Sequence, residues 1–149
     1  MFFNSKEKFL KFYRVFTSFK ILGIDYGQKK TGLAVYNNKI NIILQKPTIL
    51  NVFNNLTSLF KLIEHEKING IVIGLPLKRN GSLPDNFTEI KKLCDYLLIK
   101  TKLPYCFSDE RYTTALANVL LKQLHIKRKR RHKIDDQLSA YIILDNFFY

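Results

Sequence analysis

The stretch Ile21–Val35, ILGIDYGQKKTGLAV, decides the fold. An apolar run ends in Asp25, turns through Gly27 and two lysines, and resumes after Gly32. That is the pattern of two strands, residues 19–26 and 31–36, joined by a short glycine-bounded turn. Residues 39–45 can supply a third strand, which makes an antiparallel meander. A carboxylate at the end of a core strand is costly unless it is paired, hydrogen-bonded or bound to a metal. Its partners must come from elsewhere in the chain.

Outward from this meander the apolar period changes. Val52, Phe53, Leu56, Leu59, Phe60 and Ile63 mark a helix with one apolar stripe, running to about Glu66. INGIVIGLP, residues 68–76, has the continuous apolar run of a strand buried on both faces. Residues 77–85 are polar and punctuated by Gly81 and Pro84, a loop. Phe87, Ile90, Cys94 and Leu97 restore a helical period, PYCFSDE is a short strand ending in acid, and Thr113 to Leu124 returns to helix. After the basic run HIKRKRRHK comes a last helix, from about Ile134 to Phe148. The predicted fold is α/β: a single mixed sheet, three antiparallel strands and then parallel ones, flanked by helices.

The chain has 149 residues, enough for one domain with a substantial core. Lys and Arg number 25 against 12 Asp and Glu, a formal charge of +13 that attracts polyanions, nucleic acid first among them. No run approaches the 18 or so apolar residues of a spanning helix. Cys94 and Cys106 lack a C-x-x-C spacing and read as reduced core thiols. His65, His125 and His132 read as surface residues, and no Ser-His-Asp or Cys-His spacing stands out for covalent catalysis. The expectation is a soluble, cytoplasmic protein.

Residues 1–19 are basic and aromatic, with Phe9, Phe12, Tyr13 and Phe16 at i, i+3, i+4 and i+7, the spacing of an amphipathic helix. They lack the cleavage site of a secretory signal and, with one Arg, the composition of a transit peptide. The expected organisation is an N-terminal helical extension over residues 1–19, packed on a single domain over residues 20–149. A surface for membrane, RNA or a partner helix is the alternative use of the extension.

Three element ends carry acid: Asp25, Asp109 with Glu110, and Asp135 with Asp136. Successive strand residues face opposite sides, so only one of Asp109 and Glu110 easily shares a face with Asp25. Asp135 and Asp136 are split in the same way, about 100° apart around a helix. Three gathered carboxylates repel one another unless a cation neutralises them. Mg²⁺ favours such oxygen ligands and keeps waters that a phosphate can replace, and two ions suit phosphodiester hydrolysis. The alternative is that Asp109 and Asp135 cap helices and Asp25 merely ends a strand.

GIDYGQKKTGLAV resembles the G-I-D-x-G-x-K-R-x-G-x-A opening of the YqgF/RuvX family. IVIGLPLKRNGS resembles that family's V-x-G-L-P loop with its trailing Gly-Ser, SDERYTTALA its D-E-R-x-[ST]-T-x-x-A segment, and IDDQLSAYIIL its D-x-x-A-A-x-x-I-L helix. The four motifs keep the family's order over residues 21–148. The resemblance implies an RNase H-like fold and a metal-dependent nuclease, in a family associated with Holliday-junction resolution and with 5′-end maturation of pre-16S rRNA. It implies Asp25, Glu110 and Asp136 as the catalytic, metal-holding acids, with Mg²⁺ or Mn²⁺ as cofactor. Lys30 stands where the family usually has Arg, which keeps charge but loses a bidentate fork. Leu138 and Ser139 flank a position where the family prefers Ala.

Lys29 and Lys30 add charge beside Asp25, and Arg111 follows Glu110. The resemblance places Lys78 and Arg79 near the same edge. Lys127, Arg128, Lys129, Arg130, Arg131 and Lys133 put six cations within seven residues, a density typical of a nucleic-acid arm. Tyr26 and Tyr112 adjoin the acids and are expected to pack rather than to stack on a base. The expected activity is endonucleolytic cleavage of structured nucleic acid, with pre-rRNA or a ribosomal particle as partner and branched DNA as the alternative. A non-catalytic RNA-binding assembly factor and an actin-like ATPase are the rival classes; the ATPase needs two such domains. Both a monomer and a homodimer are compatible with these readings.

Overall fold

A computed structural model describes residues 1–109 and 128–149, the latter with side chains from Leu138 onward. In chain order the elements are β1 (Phe2–Phe3), α1 (Lys6–Tyr13), β2 (Lys20–Asp25), β3 (Lys30–Asn37), β4 (Ile42–Leu50), a 3₁₀ turn (Val52–Asn54), α2 (Leu56–Glu66), β5 (Gly70–Leu75), α3 (Phe87–Thr101), β6 (Tyr105–Asp109) and α4 (Arg128–Phe148). The strands form one six-stranded sheet in the order β1-β6-β5-β2-β3-β4. Strands β2, β3 and β4 pair antiparallel, whereas β1, β6, β5 and β2 run parallel. The α/β class and the mixed sheet are as the hydrophobic pattern predicts.

Alternation sorts the strand residues onto two helical layers. Leu22, Ile24, Leu33, Val35, Ile71, Ile73 and Tyr105 join one buried cluster with Leu59 and Ile63 of α2 and Ile90, Leu93 and Leu97 of α3. Ile21, Ala34, Tyr36, Val72 and Cys106 join the other with Phe9 and Tyr13 of α1 and Ala140, Ile143, Leu144 and Phe147 of α4. Full burial of side chains of this size stabilises by about 1.5–3 kcal/mol each, and two such layers lock the register of the central strands.

Several boundaries differ from the predicted ones. β4 lies over Ile42–Leu50 rather than 39–45, because Asn41 takes a left-handed φ of 53° in the turn and Pro47 is tolerated on an edge strand. The helix expected from Val52 is broken into a 3₁₀ turn and α2 at Asn55. α4 starts at Arg128, so Arg128–Arg131 is helical rather than a loop before Ile134, in keeping with the high helix propensity of Arg and Lys. The helix expected over Thr113–Leu124 lies outside the described residues. β1 has no counterpart in the hydrophobic pattern, since two residues carry no period; it is held by Phe2 and Phe3 beside Tyr105 and Cys106, with Tyr105 N donating to Met1 O at 2.9 Å.

Cys94 and Cys106 are free and buried in different clusters, and burial pushes their thiols up to about 12 and about 11. They are therefore protonated, weakly reactive core residues at neutral pH. Among the described residues no helix is long and apolar enough to cross a membrane.

One ion-pair cluster ties the layers together. Lys46 Nζ donates to Glu66 Oε1 at 2.5 Å and Lys20 Nζ to Oε2 at 3.3 Å, fastening the end of α2 to β4 and β2. The hydrogen bond from Lys46 is the largest cause that holds the Glu66 carboxyl below its usual range; desolvation opposes it and Lys20 adds to it. A depressed folded pKa stabilises above the unfolded value and loses that stability as pH falls through the folded one. Glu66→Gln is therefore expected to destabilise by about 1 kcal/mol at pH 7, with the difference from wild type shrinking as pH falls below the ordinary glutamate range and gone below the depressed folded value. Urea unfolding of both proteins across that range checks it.

Candidate active site

Strands β2, β5 and β6 are parallel neighbours, so their carboxyl ends share one edge of the sheet. Ile24 pairs with Ile73 and Ile73 with Phe107. One residue further on, Asp25, Gly74 and Ser108 fall in a single row across the three strands. They lie two residues beyond Gly23, Val72 and Cys106, the row facing α4, and so occupy that same face. Strand spacing sets Asp25 and Ser108 roughly 10 Å apart, with the side-chain-free Gly74 between them. Across β3, Asp25 pairs with Gly32, which also leaves the carboxylate room.

Asp25 is half-buried at the end of its strand. The turn behind it is tight: a Cβ on Gly27 would stand 2.5 Å from the carbonyl oxygen of Lys30, so only glycine fits. This turn lifts Lys29 and Lys30 into solvent beside the acid. Tyr26, one residue on, points to the other layer, is buried and meets Phe53 edge-on at 6.0 Å, so it packs. Burial, and then Glu89, raise its hydroxyl pKa.

α4 closes over this row because Gly23 lets it. A Cβ at Gly23 would lie 2.6 Å from Leu144 Cγ and 3.1 Å from the carbonyl oxygen of Ala140. Phe148 stacks on Tyr36 at 3.9 Å, and Tyr36 pairs with Ile21 near the start of β2. The helix therefore runs antiparallel to β2, and its amino-terminal half heads toward the carboxyl edge. Position 136 precedes Ala140 by one turn, about 6 Å further along the axis toward that edge.

Asp109 pairs with Leu75 and continues the Tyr105 and Phe107 series, which belongs to the α2/α3 layer. It is thus on the opposite face from Asp25. Glu110, Arg111, Tyr112 and Lys127 lie outside the described residues, as do the side chains of Arg128, Lys129, Arg130, Arg131, Lys133, Asp135 and Asp136. Among the described residues no group of three or more His, Cys, Asp or Glu could hold a metal ion.

The loop after β5 is an ordered turn. Gly81 N donates to Lys78 O, Lys78 N to Ser82 O, and Asn80 Oδ1 accepts from both Ser82 N and Ser82 Oγ. Lys78 and Arg79 are exposed on it; Lys78 is paired with Asp85, whereas Arg79 has no ion pair among the described residues. Ser108, nearly buried in Asp25's row, went unread in the sequence because a lone serine before an acid has no signature. Only the strand register brings it forward.

A mixed sheet with an acid at the carboxyl end of a central strand, closed by a helix on the same face, makes this an α/β protein with a candidate acidic site at one sheet edge. The family model described as "RuvX: Holliday junction resolvase" matches residues 19–149, and the chain belongs to that family. It is 36% identical over 138 residues to a "Putative pre-16S rRNA nuclease" of Rickettsia africae (strain ESF-5), covering 91% of this chain and 90% of the relative. A protein of the same description from Rickettsia typhi (strain Wilmington) is 39% identical over 127 residues, 84% of this chain and 81% of its own. Among solved structures, the RuvC of T. thermophilus in complex with a Holliday junction substrate superposes with a TM-score of 0.54 at 12% identity, over 87% of this chain and 94% of its own. The fowlpox virus Holliday junction resolvase does so at 0.50, also at 12% identity, over 86% and 96%. At such identities the likeness is one of fold.

Proposed function

We propose that this chain is an endonuclease that hydrolyses phosphodiesters in structured nucleic acid, with the 5′ end of pre-16S rRNA as its substrate. The observation that carries the reading is Asp25, held on the α4 face at the edge where β5 and β6 also end. The substrate assignment rests on relatives of that description spanning nearly the whole chain.

Glu110 and Asp136 are the acids we assign beside Asp25. Asp109 is on the opposite face from Asp25, the resemblance of SDERYTTALA to the family's D-E-R segment carries the role to Glu110, and position 136 lies one turn before the Ala140 contact. The donor set is all carboxylate oxygen, which fits Mg²⁺ or Mn²⁺. When bound, two such ions supply an activated water and stabilise the leaving oxygen of a phosphodiester. Asp25, Glu110 and Asp136 hold that charge in place, and without a cation their mutual repulsion opposes the closed arrangement. Lys29, Lys30, Lys78 and Arg79 flank the acids on the two loops, and with Arg111 and the run Lys127, Arg128, Lys129, Arg130 and Arg131 they hold the phosphate backbone across the edge. Phosphate contacts of this kind position a strand without reading its sequence.

The test is cleavage of a pre-16S 5′-leader RNA and of a four-way DNA junction, in Mg²⁺, in Mn²⁺ and in EDTA. Cutting of the RNA in either metal and in neither case with EDTA is expected. Junction cleavage alone would move the substrate to branched DNA, as the family description has it. Binding of RNA without cutting would replace the nuclease by an assembly factor.

A further inference from the structure

The N-terminal segment lies outside the family match, which begins at residue 19, yet it is built firmly into the sheet. Ser5 caps α1, its Oγ accepting from Lys8 N at 3.3 Å. Phe9 and Tyr13, one turn apart, are buried; Phe9 meets Phe147 of α4 edge-on at 5.5 Å, and Tyr13 Oη donates to Asn69 O at 2.7 Å. Lys6 Nζ donates to Asn146 O at 3.1 Å. What remains outward is Lys8, Lys11 and Arg14, at i, i+3 and i+6, all exposed, with exposed Phe16 just beyond.

Lys20, Lys46, Lys78 and Lys91 each have a carboxylate partner, whereas Lys8, Lys11 and Arg14 have none among the described residues. Residues 1–18 contribute four cations against the single acid Glu7.

The register locates this face relative to the acids. Phe3 pairs with Cys106, three residues before Asp109, so β1 ends about 10 Å short of the carboxyl edge and α1 follows from Lys6. It then descends: a Cβ on Gly70 would meet the Tyr13 hydroxyl at 2.1 Å, which places Tyr13 over the first residue of β5. Gly70 is four residues below Gly74, the row of Asp25, or about 13 Å along the strand. That distance is several base pairs of duplex, roughly four at the 3.4 Å per phosphate step of DNA.

We propose that the outer face of α1, Lys8, Lys11 and Arg14, is a second nucleic-acid contact surface that grips the substrate backbone several base pairs away from the carboxylate edge. It deepens the nuclease reading by giving the substrate a minimum reach, and it rests on that reading only for where the strand starts. The occupant is a polyanion because the face carries three exposed cations against one exposed acid, Glu7, and Phe16, 46% exposed, offers a stacking surface to an unpaired base at its end.

The test is fluorescence anisotropy of the full chain against a labelled 20-base-pair RNA hairpin and a labelled five-nucleotide RNA, as a function of salt. Three phosphate contacts contribute about 2.7 to the slope of log affinity against log salt. For the Lys8→Gln/Lys11→Gln/Arg14→Gln variant the slope on the hairpin is expected to fall by about 2–3 and the affinity in low salt by at least about tenfold, with the five-nucleotide RNA bound as by wild type. The single variants should each lower the slope by about 0.9, and Lys11→Arg should restore it, which separates contact from folding. An unchanged hairpin slope in the folded triple variant overturns the proposal, as does equal weakening on both RNAs. Loss of binding to vesicles rich in phosphatidylserine, with the RNA slope unchanged, also overturns it and makes the face a lipid surface. Binding that follows this pattern in a chain that cuts no nucleic acid would overturn the nuclease reading and leave the surface standing.

Discussion

Gly23→Ala is expected to lower the thermal midpoint by roughly 5–15 °C and to cut cleavage by about a hundredfold or more. The added methyl would sit 2.6 Å from Leu144 Cγ, 2.9 Å from Leu144 Cδ1 and 3.1 Å from the backbone oxygen of Ala140. Leu144 is fully buried between Ile143 and Phe147 in a packed cluster, so it has little room to rotate, and a helix carbonyl does not move without its helix. α4 must therefore shift away from β2. Overpacking of this kind costs about 1–3 kcal/mol, and an ångström of misplacement at a catalytic group costs about a hundredfold in rate. The stability loss comes from the core and, on the proposed assignment of Asp136 beside Asp25, the rate loss comes from moving position 136 away from Asp25, so the two separate in a double variant. Gly23→Ala/Leu144→Ala should regain activity relative to Gly23→Ala, measured by single-turnover cleavage and thermal unfolding, while still lacking the buried leucine's contribution.

Asp25→Asn is expected to abolish cleavage, by about a thousandfold or more, with the fold unharmed. A thousandfold is about 4 kcal/mol of transition-state stabilisation. Asparagine keeps the shape of the side chain and removes its charge, and the residue is only half-buried at a strand end, so core packing is not at stake. The neutral amide is a poor ligand for a hard cation. Added Mg²⁺ should accordingly raise the thermal midpoint of wild type and leave that of the variant unchanged, since a ligand stabilises only the state that binds it. Calorimetry with and without 10 mM Mg²⁺, beside rate measurements, reads both effects.

Much of this edge was legible in the sequence because the relevant signals are local. Gly27 and Gly32 bracket the turn after Asp25, and the unbroken apolar run at Gly70–Leu75 reads as a doubly covered central strand. Alternation also leads to the expectation that only one of Asp109 and Glu110 easily shares a face with Asp25. Which of the two faces Asp25 is a question of register, and register is set by pairing with residues thirty to eighty positions away. The same applies to the Asp25, Gly74 and Ser108 row, whose members have no common motif. β1 was illegible for a different reason: two phenylalanines become a strand only because β6 offers an unpaired edge. The early start of α4 was hidden by charge, since a dense basic run reads as loop although Arg and Lys are good helix formers.

The assignment of faces is tested most directly by single-turnover cleavage, in Mg²⁺, of whichever of the two substrates wild type cuts, using Asp25→Asn and Asp109→Asn side by side. Asp25→Asn should be inactive and Asp109→Asn should stay within about fivefold of wild type, because Asp109 lies in the α2/α3 layer series. An active Asp25→Asn, or an inactive but folded Asp109→Asn beside it, would contradict a catalytic centre on the α4 face of this edge.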